Sequence, residues 1–498
     1  MYVHPLHNSL RTTVDRCDVA RQAVTIDLLP DVALLEVFDH YMDMNRTWTG
    51  EQKWHTLVHV CRKWRYIVFG SPLRLDLRLF CDALTPVRET LDVWPLLPIV
   101  VWDQDHGTKA LDDGVIAALE HNDRICQLHF YAFSGPRYEK VLEVMRQPFS
   151  ALTHLDLEYI YLCPPPVIPA SFLGGSAPAL ISLRLYGIPF PALPKLLMSA
   201  THLVHLKLEY IPHSAYISPE TMVTCLSVLT RLELLYIGFK SPQSRPDPET
   251  RRPPLLTRTP LPVLTELRFS GVPEYLEDLV ARIDAPQLGV LAINFFHQLI
   301  FDTPHLTHFI GRTPKLKTHD EARVVFSHDL GVSVALPQTY DGTLKLEVSC
   351  KKSDWQLSSL AQLCSSCFPP ALIHAVQHLY ILETYLELDW QDNIMSRQWM
   401  EVLHPFTAVK DLFLSQELSP HIAPILQELA RERDSEALPA LQNLFLEGTV
   451  SSGPVQEGIG QFVTARQLSS HPVVFSRWER KQNKWDGIHV FDSYHDDD

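Results

Sequence analysis

Four residues in the C-terminal part of the chain have the side chains of a metal site. Cys364 and Cys367 form a Cys-x-x-Cys pair, and His374 and His378 follow. Thiolate and imidazole are zinc's preferred ligands. The spacing argues against zinc. Six residues separate Cys367 from His374, and Pro369-Pro370 interrupt them; this is roughly half the usual finger loop. Both cysteines end a helix-like apolar stretch that starts near Trp355, and His378 falls in a strand-like run. The expectation is a buried helix end, a surface histidine and no metal. Covalent chemistry has no better support. The sequence holds no Gly-x-Ser-x-Gly elbow, no Gly-rich phosphate loop and no His-Glu-x-x-His, the spacings that acyl transfer, phosphate binding and zinc proteolysis need. Its 24 histidines are scattered. The chain is expected to be no enzyme and to carry no cofactor, although an enzyme with an unrecognised site is a third reading beside the two given below.

Binding chemistry has a better candidate. Polar and aromatic side chains recur at period two between leucines. They are His154, Asp156 and Glu158; Ser182, Arg184 and Tyr186; His205, Lys207 and Glu209; Arg231, Glu233 and Leu235; and Glu266, Arg268 and Ser270. Alternation at that period sends one set of side chains to the core and the other to a strand's outer face. His154, Asp156, Arg184, Tyr186, Lys207, Glu209, Arg231, Glu233 and Arg268 are therefore the candidates for contact with a partner. The stripe mixes both charge signs, which suits a polypeptide better than a phosphate backbone.

The elements that carry this stripe repeat. Leu-x-x-Leu-x-Leu appears as LTHLDL from Leu152, LISLRL from Leu180, LVHLKL from Leu203, LTRLEL from Leu229 and LTELRF from Leu264. Variants are ICQLHF from Ile125, LGVLAI from Leu288, VQHLYI from Val376, VKDLFL from Val409 and LQNLFL from Leu441. The pattern resembles the leucine-rich repeat, one strand plus a helix or turn per unit. Such units bury one face only by stacking, so the resemblance implies a curved α/β solenoid. The position that usually holds Asn or Cys holds Ile160, Ile188, Ile211, Ile237 and Val272. An irregular horseshoe without an asparagine ladder is expected over residues 73–482. Helix-like pieces such as PEYLEDLVARI, MSRQWMEVLHPF and IAPILQELARER would form its outer layer. Two segments interrupt the array. Residues 240–262 are proline-rich and charged and are expected to form a mobile loop. Residues 321–350 read as three strands with turns, a β-meander.

Composition bounds the function classes. The chain has 498 residues, is 46% hydrophobic and 20% charged, and carries a net charge of −15. That balance argues against nucleic acid as a partner. No run reaches the ~18–20 apolar residues of a membrane helix, and residues 1–25 contain no continuous apolar block. No membrane association is expected. The nine cysteines show no evenly spaced framework, which fits reduced thiols in cytoplasm or nucleus. The tail over 483–498 ends in three aspartates and is expected to fray, and residues 1–23 are an N-terminal tail.

The stretch from Ile26 to Pro72 reads IDLLPDVALLEVFDHYMD, a polar spacer from Asp43 to Lys53, then WHTLVHVCRKWRYIVFGSP. Asp27 can cap a first helix, with Pro30 in its first turn. Trp54, Leu57, Val58, Cys61, Trp64 and Val68 make the apolar stripe of one second helix that ends at Ser71-Pro72. So short a unit cannot bury this surface alone. Leu-Pro followed by Val-Cys-Arg-x-Trp-Arg resembles the F-box, which docks a protein onto the Skp-family adaptor of a cullin ubiquitin ligase. The resemblance covers residues 24–72. It implies that Leu29, Pro30, Leu34, Leu35, Phe38, Val60, Cys61 and Trp64 divide between adaptor contact and the module's own core. It also implies a function. The chain would be the substrate-recognition subunit of an SCF-type ligase, reaching the cullin through the adaptor. The alternative is a non-catalytic repeat scaffold that binds the adaptor outside a ligase.

Overall fold

The computed structural model describes residues 26–43, 54–71, 74–75, 78–81, 86–94, 96–103, 112–131, 135–159, 165–246, 257–296, 301–317, 319–327, 330–337, 343–350, 352, 354–383, 395–431, 437–448, 454–468 and 471–479. The terminal segments 1–23 and 483–498, the centre of the spacer over 44–53 and the centre of the proline-rich segment over 247–256 lie outside the described residues. The chain divides into two compact units, Met1–Arg78 and Leu79–Asp498.

The first unit is helical. A short 3-10 turn (Ile26–Leu28) precedes α1 (Asp31–Asp43), α2 (Trp54–Val60) and α3 (Arg62–Gly70). Two expectations are corrected here. Pro30 precedes the helix, and Asp31 opens it at the favourable end of the dipole. The expected single second helix is two. Cys61 sits between them in extended backbone, with φ −157° and ψ 173°. Arg65 Nε bonds the Val58 carbonyl at 3.0 Å across that break, so one carbonyl that the interruption would strand is satisfied.

The second unit is mixed α/β around a long open sheet. Its strands are β1 (Arg78–Phe80), β2 (Ile99–Asp103), β3 (Ile125–Phe130), β4 (His154–Glu158), β5 (Ser182–Tyr186), β6 (His205–Ile211), β7 (Leu234–Phe239), β8 (Thr259–Pro260), β9 (Glu266–Gly271), β10 (Ile283–Asp284), β11 (Val290–Phe296), β12 (Glu321–Phe326), β13 (Gly331–Pro337), β14 (Thr343–Ser349), β15 (His378–Glu383), β16 (Asp411–Leu414), β17 (Asn443–Glu447) and β18 (Val474–Trp478). Sixteen of them form one sheet in the order β1-β2-β3-β4-β5-β6-β7-β9-β11-β14-β13-β12-β15-β16-β17-β18. Pairing is parallel from β2 to β11 and again from β15 to β18. Between those runs, β12, β13 and β14 pair antiparallel with one another. Because this inserted set holds three strands, its two outer members, β14 and β12, lie parallel to β11 and β15. The sheet therefore continues without a break in direction on either side.

Helices connect the strands: α4 (Val87–Val93), α5 (Asp112–Leu119), α6 (Gly135–Val144), α7 (Leu193–Leu197), α8 (Pro219–Leu226), α9 (Pro273–Arg282), α10 (Pro304–Arg312), α11 (Asp354–Gln362), α12 (Pro370–Ile373), α13 (Met395–Leu403), α14 (Ser419–Arg431) and α15 (Pro454–Leu468). Their apolar residues join the inward leucines of the strands in one continuous core. Two charged side chains on these helices are held by backbone groups of a neighbouring helix or strand. On α9, Glu277 is buried and accepts bonds from the His305 and Leu306 amides at 2.9 and 2.7 Å, two of the orphan donors that open α10. Arg312 at the end of α10 returns bonds to the Val280 and Ile283 carbonyls at 3.0 and 2.7 Å.

The C-terminal end of the expected 240–262 loop is ordered. Thr259–Pro260 pair in parallel with Ile283–Asp284 as a separate two-stranded sheet, and Leu261 is buried. Among the described residues, no helix is long and apolar enough to cross a membrane.

Candidate functional site

In the first unit the sequence candidates separate by burial. Leu34 and Phe38 are fully buried, and Phe38 packs on Trp64 with ring centroids 4.7 Å apart. Leu35, Cys61 and Trp64 are half-buried. Leu29, Pro30 and Val60 are exposed. Neighbours not singled out in the sequence extend the exposed apolar surface at the entry to α1: Ile26, Leu28 at 69% and Val32 at 67% exposure. Lys63, also missed, fixes this entry. Its ammonium donates to the Leu29 carbonyl at 2.7 Å and lies 3.5 Å from Asp31. Arg74 pairs with Glu36 and, at 2.7 Å, with Asp39, both on α1.

In the second unit the register puts one residue per strand into a single row across the outward face. From β2 to β18 it reads Trp102, His129, Asp156, Arg184, Lys207, Tyr236, Arg268, Ala292, Lys345, Ala335, Arg323, Tyr380, Phe413, Phe445 and Ser476. Asp156, Arg184, Lys207 and Arg268 were expected on this face. Tyr186 and Glu209 sit in the row above, beside Glu158.

His154 is outward too, in the row below Arg184, with Ser182 and His205. Two expectations fail. Arg231 and Glu233 lie before β7, off the sheet face, and Leu235 points into the core at 0% exposure. The cause is a second leucine frame. Leu229 and Leu232 are buried in the turn that precedes the strand, so the strand's own frame is Leu232-x-x-Leu235-x-Ile237. Leu234 and Tyr236 take the outward places.

Arg184 is the hub of the N-terminal half of the face. Its Nε donates to Glu209 at 2.9 Å, and its Nη1 donates to Asp156 at 3.1 Å and Glu158 at 2.6 Å. It also lies over the Tyr186 ring, 5.4 Å from the centroid. Tyr131 donates to the other Asp156 oxygen at 2.9 Å. Burial alone would raise the Asp156 carboxyl. His129 at 3.9 Å, the Arg184 guanidinium and the Tyr131 hydroxyl outweigh it, and hold that carboxyl below its usual range. Burial, with His129 and His205 nearby, lowers the basicity of His154. Trp102 stacks on His129 at 4.4 Å. The charges gathered around Arg184 thus serve one another.

The C-terminal half was not singled out. Tyr380, Phe413 and Phe445 stack face to face on three adjacent strands, with centroid spacings of 4.2 and 4.4 Å and planes within 8°. Trp478 stands edge-on to Phe413 and Tyr380. The signal was present in VQHLYI, VKDLFL and LQNLFL, where an aromatic ring fills the place between the last two apolar residues.

Cys364 and Cys367 lie on a π-helical turn, both buried, and burial pushes the Cys367 thiol up to about 12. His374 is exposed, and His378 Nδ1 is 2.7 Å from Asp411. No cluster of three metal-ligating residues exists among the described residues. A comparison with protein-family models and with curated proteins found no match for this chain.

Proposed function

We propose that this chain is the substrate-recognition subunit of an SCF-type cullin ubiquitin ligase. Residues 24–72 would be the F-box that holds a Skp-family adaptor, and the second unit a leucine-rich-repeat-like solenoid that holds a protein substrate. The observation that carries this reading is the exposed apolar entry to α1. Ile26, Leu28, Leu29 and Val32 crowd a few residues of chain, in the sequence context that resembles an F-box. Clustered exposed apolar side chains mark interaction sites. In this reading Leu29, Pro30 and Val60 meet the adaptor, Leu34 and Phe38 form the module's own core, and Leu35, Cys61 and Trp64 line the boundary. Ligation is then accelerated by proximity. The adaptor and cullin bring the transfer machinery to a substrate held on the same assembly, which raises its effective concentration without side-chain chemistry in this chain.

The test is capture of a recombinant Skp-family adaptor by the full chain. Leu29→Ala with Val32→Glu should weaken capture about tenfold or more, the scale of a lost apolar anchor, while the far-ultraviolet circular dichroism stays that of wild type. Wild-type capture by this variant overturns the docking face. Adaptor capture that never brings the cullin with it overturns the ligase assignment.

A further inference from the structure

The outward face changes character along its length. In the N-terminal half, guanidinium and carboxylate groups satisfy one another, and Arg184 already lies over Tyr186. In the C-terminal half the face is built around the ring column. A stack of parallel rings hides the face of every ring except at its two ends. One end is closed from within: the Arg323 guanidinium lies over Tyr380, 5.6 Å from the ring centroid, and pairs with Glu321. The other end is Phe445. The next residue in its row is Ser476, whose side chain is too small to cover a ring.

The charge around the column favours a cation at that open end. The outward positions of β12 and of β15 to β18 hold Glu321, Asp411 and Glu447 against one guanidinium, Arg323, a net charge of −2. His378 is hydrogen-bonded to Asp411. A cation over a ring face gains from the quadrupole, and guanidinium, weakly hydrated and planar, does so best. The surroundings suit a polypeptide and not a small molecule. Small ligands favour concave sites, whereas this is an open sheet surface that continues onto Val474, 58% exposed in the row beside the column.

We propose that this end of the sheet takes an arginine side chain from a partner polypeptide, laid across the open face of Phe445 as Arg323 is laid across Tyr380. The proposal rests on the reading of the second unit as a substrate-holding surface, and it names the chemistry of what is held: an extended segment with arginine beside apolar side chains.

The test uses the full chain and fluorescein-labelled octapeptides in which arginine, lysine or citrulline alternates with valine. Citrulline keeps the shape of arginine and removes its charge. Fluorescence anisotropy should show the arginine peptide binding about tenfold tighter than the citrulline peptide, with lysine between. Phe445→Leu should weaken the arginine peptide about fivefold. Ser476→Arg, which offers the ring a cap from within, should do the same while leaving the thermal melt of the chain intact. Glu89→Gln, exposed on α4 near the other end of the sheet, should change nothing, which separates a local site from the general pull of an acidic protein. Citrulline binding as well as arginine overturns the proposal. So does wild-type affinity in both the Phe445 and the Ser476 variants. Adaptor capture by the same variants reports on the first unit alone, so its loss or retention tests the ligase reading separately.

Discussion

Arg184 shows how a single side chain can fix the meaning of a charged stripe. Taken as a list, Asp156, Glu158, Arg184 and Glu209 are binding candidates of both signs. Taken in space, three carboxylates converge on one guanidinium whose side chain is 24% exposed. A partner would have to break those bonds to use the charges, so their first role is to hold β4, β5 and β6 in register. Replacing Arg184 with methionine keeps the apolar stem and removes the charge. It leaves three half-buried carboxylates facing one another, and breaking such a set costs about 3 kcal/mol when water still reaches it. Urea denaturation at pH 7 should show a loss of that size. The pH dependence has a definite sign. Asp156 is held below its ordinary value of 3.8 by its partners, so its contribution is present above that value and is lost as the pH falls through the depressed one. The gap between wild type and Arg184→Met should therefore narrow in acid below about pH 4. A gap that persists unchanged there would mean that packing of the stem, not charge, is what Arg184 supplies.

At the scale of single elements, much was readable because the strands obey a simple rule. Nearly every Leu-x-x-Leu-x-Leu run in the sequence is a strand of the sheet, since a buried leucine at alternate positions leaves the chain few other choices. The rule failed at β7, where two overlapping leucine frames exist and only burial distinguishes them. Leucine spacing cannot reveal that the chain spends Leu229 to Arg231 in a turn, because the turn also buries its leucines. The break at Cys61 was unreadable for a related reason: the apolar stripe runs straight through it, while the cause is a local change of backbone conformation. The division of Leu29 from Leu34 needed exposure, which residue type alone does not carry. The β7 register makes a direct prediction. Leu235→Ala should cost about 2–5 kcal/mol, the range for a leucine removed from a closed core, whereas Leu234→Ala, at a half-buried outward position, should cost under about 1 kcal/mol. Chemical denaturation of the two variants checks this. Equal costs, or the reverse order, would restore the frame that puts Arg231 and Glu233 on the face.

At the scale of the whole second unit, the inserted strands β12 to β14 are the link on which the sheet depends. Each strand bonds only to its neighbours, so cooperativity passes along the sheet from one pair to the next. The parallel run from β2 to β11 and the run from β15 to β18 meet through β14, β13 and β12 alone in the sheet order. The centre of that link is β13, whose Val332, Val334 and Leu336 are fully buried, and α11 packs on it. A charge at Val334 would have no partner there, and an unpaired buried charge costs several kcal/mol or forces the strand to leave the core. The two runs should then lose their common fate. In Val334→Asp, hydrogen exchange read by mass spectrometry should show peptides from 376–479 losing protection first, because that run is the shorter and ends at a strand with Val474 and Phe475 exposed. Peptides from 99–296 should keep most of theirs. In the wild-type chain the two sets should open together. Uniform loss across both sets in the variant would mean that the helices, and not β13, carry the coupling. The ring column at Phe445 lies in the run expected to loosen, so arginine-peptide binding should fall in Val334→Asp even though no residue of the column has changed.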